Sequence, residues 1–558
     1  MSDISTTDPT TGRRPGVRGA RRHAHPGLVL LVIAGAQLMV VLDGTIVNIA
    51  LPSMGRYFDK SQTDMTWALN AYTLAFGGLL LLGGRSGDIF GRRKMFIIGL
   101  SLFTVGSFLG GIAATYPLLL AGRVVQGVGG AIAAPTALSL IATEFKQGHE
   151  RTRALAVYAA VSGAGAAFGL LLGGILTNYF SWRWVLFVNV PIGIVLIVGA
   201  YFYLHESERL QGQFDVVGGL LSVAGLVSTV YGFIHVAHAG WVNPQTFIVF
   251  GAAIVLLSAF VLYEAYGTKQ PMMPMRIFED RNRVGAYLVM FVVGAAMFGM
   301  FYFITFFTQL VLEFGPLKTG VAFLPVAFTI GITSQVAARI LMRVGPKVLL
   351  VIGTTLLTLS LLWLSTVTVD STYLTKLLPG MVMLAVAMGC LFVPLTTTAV
   401  ANVANTDAGL ASALLNVGQQ VGGALGLSVM ATVFATASRT YAHDNQPKLF
   451  AAVHQLPPAL QQPVADRLAK AGSNGLQLSE INAFLSTLST NDRPVVSAYF
   501  KGPYQNFTHA LVAHGSSMAF FTGAMFGIVA ILAAVVLINV KKTDLPANPH
   551  AAEPAVAV

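Results

Sequence analysis

The dominant pattern along the chain is a series of apolar runs separated by short polar or glycine-bearing segments. A run of about 20 apolar residues is long enough to cross a hydrocarbon core as a helix. Fourteen such spans are predicted, the first seven at 27–50, 64–83, 95–114, 117–143, 154–177, 184–204 and 215–236. The rest follow at 245–265, 284–312, 318–340, 347–368, 374–400, 408–437 and 515–540. The fold class is therefore an all-α integral membrane protein, and an even number of crossings puts both termini on one side. One stretch breaks the pattern. Residues 438–514 carry Pro447, Pro457, Pro458, Pro463 and Pro494 among amphipathic pieces, which predicts an outer loop with short helices.

Composition agrees. Of 558 residues, 55% are hydrophobic and 10% charged, far from the roughly 25% charged content of a soluble domain. The net charge of +11 would suit a nucleic-acid partner if it were gathered on one domain. Instead the basic residues alternate from loop to loop. Arg13, Arg14, Arg18, Arg21, Arg22, Arg85, Arg92, Arg93, Lys94, Lys146, Arg151, Arg153 and Arg209 fall on the side of the N-terminus. Lys269, Arg276, Arg281, Arg283, Arg339, Arg343, Lys347, Lys541 and Lys542 fall there too. Short loops on the other side keep only Arg56, Lys60, Arg183, Lys318 and Lys376. Cytoplasmic loops are the ones enriched in Lys and Arg, so both termini are expected in the cytoplasm and no nucleic acid is expected as partner. Cys390 is the single cysteine, which excludes an intrachain disulfide and a cysteine metal site. The sequence has no HExxH and no GxxxxGK[ST] motif, so no metal, cofactor or enzymatic activity is expected.

Within the first span lies a carboxylate, Asp43. An ionised side chain near the bilayer centre costs roughly 2.5–3.5 kcal/mol on insertion scales, so it persists where it faces a cavity, finds a partner or takes up a proton. Asp43 is accordingly a candidate proton carrier. In the fourth span Arg123, Gln126, Gly127, Gly130 and Ala134 share one helical face, polar at one end and small along its length. Apolar burial disfavours an acid's charged form and a nearby arginine favours it; sequence leaves those two influences opposed. A faint repeat, YFD at 57–59 with EFG at 313–315, has an offset of about 256 residues. It fits two six-span halves with two extra spans between them. Gly299 or its neighbour Phe298 then occupies the place of Asp43 in the second half.

Five stretches carry a family resemblance: LDGTIVNIALP at 42–52, GGRSGDIFGRRKMF at 83–96, AGRVVQGVGGAIAAPTALSLI at 121–141, SWRWVLFVNVPIG at 181–193 and GLASALLNVGQQVGGALG at 409–426. Together they resemble the fourteen-span drug:proton antiporters of the major facilitator superfamily. The resemblance implies a major facilitator fold. It would comprise a cytoplasmic tail at 1–26, a six-helix bundle at 27–204, two inserted helices at 215–265, a second bundle at 284–540 holding the 438–514 loop, and a cytoplasmic tail at 541–558. It further implies proton coupling by Asp43 and Arg123, and a conformational latch formed by Gly84, Asp88, Gly91 and Arg92. Gly165, Gly169, Gly173 and Gly174 match the helix-packing glycines of span five, although Leu170 stands where the family has proline. Gln126, Phe306, Gln309, Asn416 and Gln420 are candidate substrate-cavity residues. The expected partners are protons, the lipid bilayer and a drug-like small molecule, neutral or singly charged, handled by a monomer in the cell membrane. Another cargo, such as a lipid, a siderophore or a self-made antibiotic, fits the same motifs.

Overall fold

The computed structural model describes residues 26–145, 148–206, 214–401, 403, 407–471 and 478–540. Both expected tails, with Lys146 and Arg209, lie outside the described residues. Fourteen helices among the described residues are long and apolar enough to cross a membrane. They are α1 (Pro26–Phe58), α2 (Gln62–Phe90), α3 (Arg92–Gly111), α4 (Tyr116–Glu144), α5 (His149–Tyr179), α6 (Trp184–Tyr203) and α7 (Val216–Ala239). The second seven are α8 (Pro244–Gly267), α9 (Arg281–Leu310), α10 (Pro316–Leu341), α11 (Pro346–Leu364), α12 (Tyr373–Val400), α13 (Gly409–Val453) and α14 (Asp492–Val536). The face that carries the α2–α3 junction is called inner below, and the opposite face outer.

Helix ends run beyond the apolar windows where local chemistry supports them. Ser61 caps α2 and Asp64 completes a capping box with it, starting the helix ahead of its hydrophobic run. The expected 438–514 loop differs most. The helix of α13 continues to Val453, short helices follow at Pro458–Ala471 and Leu478–Thr487, and α14 begins at Asp492. Its amphipathic pieces bury Leu449, Val453, Leu460, Val464, Phe484, Val496, Tyr499 and Phe500 against one another, forming a small apolar core of their own. That shared core, which no single piece reveals, keeps the segment helical.

α1–α6 pack together, as do α9–α14, while α7 and α8 pair with each other and α7 lies against both α2 and α13. Small residues set the closest approaches. A β-carbon at Gly106 of α3 would stand 2.6 Å from the Gln126 nitrogen and 2.7 Å from the Gly122 oxygen, so α3 and α4 touch backbone to backbone. Between α1 and α5, Gly165 abuts Leu38 and Val41, Gly169 abuts Thr45 and the Leu42 carbonyl, and Gly173 abuts Ile46. Gly174 instead faces Pro316 and Leu317 of α10.

The hydrogen bonds joining the two halves lie toward the outer face. Gln309 donates to the Ile49 carbonyl at 3.0 Å, Asn70 donates to Ser428 at 2.9 Å, and the Tyr302 hydroxyl donates to the Gln62 carbonyl. The α5–α10 contact at Gly174 and Pro316 extends the same seal. The conformation is thus closed on its outer side.

Candidate functional site

Asp43 and Arg123 are buried, with 0% and 1% of their side chains exposed, and form an ion pair at 2.6 Å. The pair is embedded in a polar cluster built from five helices. Asp43 Oδ1 accepts from Gln126 Nε2 and from Asn189 Nδ2, both at 3.0 Å, while Oδ2 accepts from Arg123 Nη1. Gln126 also donates to Ser107 Oγ at 2.6 Å, the contact that the close α3–α4 seam makes available. Arg123 has anchors of its own. Its Nε donates to the Ala68 carbonyl at 2.9 Å, its Nη1 to Gln126 Oε1 at 2.9 Å, and its guanidinium lies 4.4 Å from the centre of the Tyr72 ring. Two polar atoms in the cluster, Arg123 Nη2 and Asn189 Oδ1, are buried without a hydrogen-bond partner. Such groups cost free energy.

The small face of α4 explains why Arg123 reaches Asp43. Gly127 lies against the Tyr72 carbonyl and Gly130 against Phe76, which seats α4 on α2 and sends the arginine inward. Asn189 was not among the candidates from sequence. Its only signal is an amide in the apolar run VLFVNVP, inside a stretch that carries the family resemblance. The neighbouring Arg183 has a separate duty: it donates to the carbonyls of Gly111 and Ala113 at 2.8 and 2.7 Å, closing the C-terminal end of α3.

The inner-loop residues meet within the first half. Asp88 pairs with Arg92 at 2.9 Å, and Gly91 between them takes φ of +104°, a conformation that favours glycine. The N-terminus of α3 is capped by Glu206, from the chain after α6, which accepts from the backbone nitrogens of Arg93 and Lys94 at 3.1 Å. Gly84 packs on Pro135 of α4.

The candidate cavity residues separate into four places. Gln126 lies inside the Asp43 cluster. Phe306, 3% exposed, stacks in the core 4.7 Å from the Tyr302 ring, and Gln309 belongs to the outer seal. Asn416 and Gln420 remain on α13, where Gln420 packs against Gly77 of α2 and its buried Oε1 has no hydrogen-bond partner. Gln419, beside them, also buries a partnerless Oε1 and approaches the sulfur of Met297.

The Major Facilitator Superfamily profile matches residues 33–427. This chain belongs to that superfamily. A puromycin resistance protein of Streptomyces alboniger is 43% identical over 422 residues, 75% of this chain and 83% of its own length. The cephamycin export protein of Amycolatopsis lactamdurans is 35% identical over 456 residues, covering 80% and 94% of the two chains. The tetracenomycin C resistance and export protein of Streptomyces glaucescens is 32% identical over 424 residues, 75% of this chain and 77% of its own. In fold, the chain is similar to a bacterial homologue of the human lysosomal transporter Spinster in an inward-facing, unoccupied conformation. That match has a TM-score of 0.60 and 15% identity over 95% of this chain and all of the other. The major facilitator chain described here is thus a multi-pass membrane protein from a superfamily of transporters.

Proposed function

We propose that this major facilitator protein exports lipophilic small molecules, neutral or singly charged, in exchange for protons, and that Asp43 carries the proton. The observation that carries the reading is the buried Asp43–Arg123 pair, in which each partner has further hydrogen bonds. When Asp43 is ionised, the pair ties α1 to α4. Protonation removes that charge, and Arg123 keeps the Ala68 carbonyl, the Gln126 amide oxygen and the Tyr72 face. The cluster thereby supports both charge states without leaving the guanidinium stranded, while the tie between α1 and α4 differs between them. That difference is what alternating access requires of a coupling site.

The outer-sealed conformation is the one that loads from the cytoplasm, with both termini on that side as the basic inner loops direct. Gln419 and Gln420 offer cargo their partnerless amide oxygens, and the protein works as a monomer. A proton crossing 100 mV supplies about 2.3 kcal/mol, and one pH unit adds about 1.4 kcal/mol. Together these sustain uphill export without a nucleotide. The named cargoes of the relatives favour antibiotics among lipophilic substrates.

The test uses inside-out vesicles carrying an imposed pH gradient and a quenched acridine dye. Adding puromycin or a tetraphenylphosphonium salt should discharge the gradient and restore fluorescence in wild-type vesicles, and not in Asp43→Asn vesicles with equal protein content. Equal discharge by the two would contradict the assignment of Asp43.

A further inference from the structure

A second buried acid pair lies away from the Asp43 cluster, at the inner end of the inserted helices. Asp215 immediately precedes α7, and Glu264 sits in the π-helical turn Tyr263–Gly267 that ends α8. They are 8% and 2% exposed. Each commits one oxygen to the backbone: Asp215 Oδ1 accepts from the Gly218 nitrogen at 2.9 Å, and Glu264 Oε2 from the Met273 nitrogen at 2.9 Å. The remaining oxygens, Asp215 Oδ2 and Glu264 Oε1, have no donor among the described residues. Both converge above Gly218, where a β-carbon would stand 2.7 Å from the first and 2.5 Å from the second, so the two carboxyl groups lie side by side.

Among the described residues, neighbouring cations do not resolve this arrangement. On α2, Arg85 is engaged by Gln270 at 2.8 Å and Asp88 by Arg92. The part of α8 before Tyr263 carries no ionisable side chain, and neither does α13 between Ala408 and Ser438. The histidines of α7, His235 and His238, are at its outer end. In the chain after α8, Lys269 flanks Gln270 and Arg276 pairs with Asp407 at 3.2 Å. Two carboxylates in contact and out of water repel strongly unless a proton lies between them, and an acid donating to a carboxylate forms a strong charge-assisted bond.

We propose that Asp215 and Glu264 share one proton, and that this shared proton fastens the chain linking α8 to α9. That linker is a strap between the two halves. Gln270 meets Arg85 of α2, Met272 packs with Leu82 and Phe260, Met273 is held by Glu264, and Arg276 reaches Asp407 ahead of α13. With the proton in place the clasp is closed. As the cytoplasm turns alkaline the proton leaves, the two charges part, and the strap loosens at Met273. A cytoplasmic pH input therefore acts on the inner face independently of the transported proton.

The proposal stands apart from the transport reading because it is tested in full-length Asp43→Asn protein, reconstituted in nanodiscs. Infrared difference spectra between mildly acidic and alkaline buffer should show a protonated-carboxyl stretch of about one group per chain. That band should be lost in Asp43→Asn/Glu264→Gln and in Asp43→Asn/Asp215→Asn, where an amide N–H replaces the shared proton. In the same samples, amide hydrogen exchange over residues 268–275, corrected for intrinsic rate, should quicken with pH in the parent and stay flat in the Glu264→Gln protein. A band that survives either substitution, or a strap whose exchange follows pH equally in both, would overturn the shared proton.

Discussion

Asp43 on α1 and, by the faint sequence repeat, Gly299 or its neighbour Phe298 on α9 are counterparts with opposite surroundings. Asp43 is ringed by Arg123, Gln126 and Asn189, with Tyr72 beneath the guanidinium. Gly299 faces the sulfur and methyl of Met430, in a core shared with Met300, Phe303 and Phe520. The halves have the same helical frame, yet one holds an ionisable cluster and the other an apolar contact. In the proposed cycle, titration in the first half is converted to motion by the second, which supplies packing, the α13 amides and half of the outer seal.

The comparison breaks most severely if the cation is removed. Arg123→Ala leaves a buried carboxylate without its partner, a change that costs about 3–5 kcal/mol, so folded protein in the membrane should fall sharply by quantitative immunoblot. Survival at wild-type level and thermal stability would mean that the pair is not a structural keystone of the first half.

Next in size is the seam that carries α1. In Gly169→Val, the new side chain meets Thr45 Oγ1 and the Leu42 carbonyl, and overpacking of this kind costs about 1–3 kcal/mol. A lower midpoint in a thermal-shift assay, with lost export, is expected. The Leu170 that replaces the family's proline touches Gly320 of α10 through its carbonyl, so this part of α5 packs against the second half.

Asn189→Ala removes one donor to Asp43 and should cost about 1–3 kcal/mol, since a buried charged acceptor loses a partner. Export should also shift in its pH dependence, because a donor hydrogen-bonds a carboxylate more strongly than a neutral carboxyl group. An unchanged pH profile would make Asn189 a packing residue.

A smaller change is expected at the seal. Ser428→Ala removes the bond from Asn70 and should weaken outer closure by about 0.5–1.5 kcal/mol. Labelling of a cysteine placed at residue 424, from the outside and in a Cys390→Ser background, should quicken without loss of folded protein. Smallest of all is Met430→Leu, a volume-conserving swap opposite Gly299. Coupling should be unaltered in the dye assay; a loss comparable to that of Asp43→Asn would erase the contrast between the halves.

The spans were legible because a bilayer demands long apolar helices, and Asp43 and Arg123 because charge in such a helix is conspicuous. Asn189 was harder to see. A single amide costs little in hydropathy, and only the approach of α6 to α1 brings it to the carboxylate. Phe306 and Gln309 shared a helix with the right composition for a cavity wall, yet which face of α9 meets α1 is decided by interhelical packing that no single span encodes. Asp215 and Glu264 are far apart in sequence, and one sits at a helix start while the other lies in a π-turn. Their meeting depends on Gly218 and on the pairing of α7 with α8.

The most direct measurement compares two activities of purified Asp43→Asn protein in proteoliposomes, with labelled puromycin as probe. The account predicts that it exchanges probe across the membrane at equilibrium, since Arg123 retains its other anchors, but cannot accumulate probe when a pH gradient is imposed. Wild-type protein should do both. Uphill accumulation by the Asp43→Asn protein at the wild-type level would contradict the account, because the proton would then be carried elsewhere.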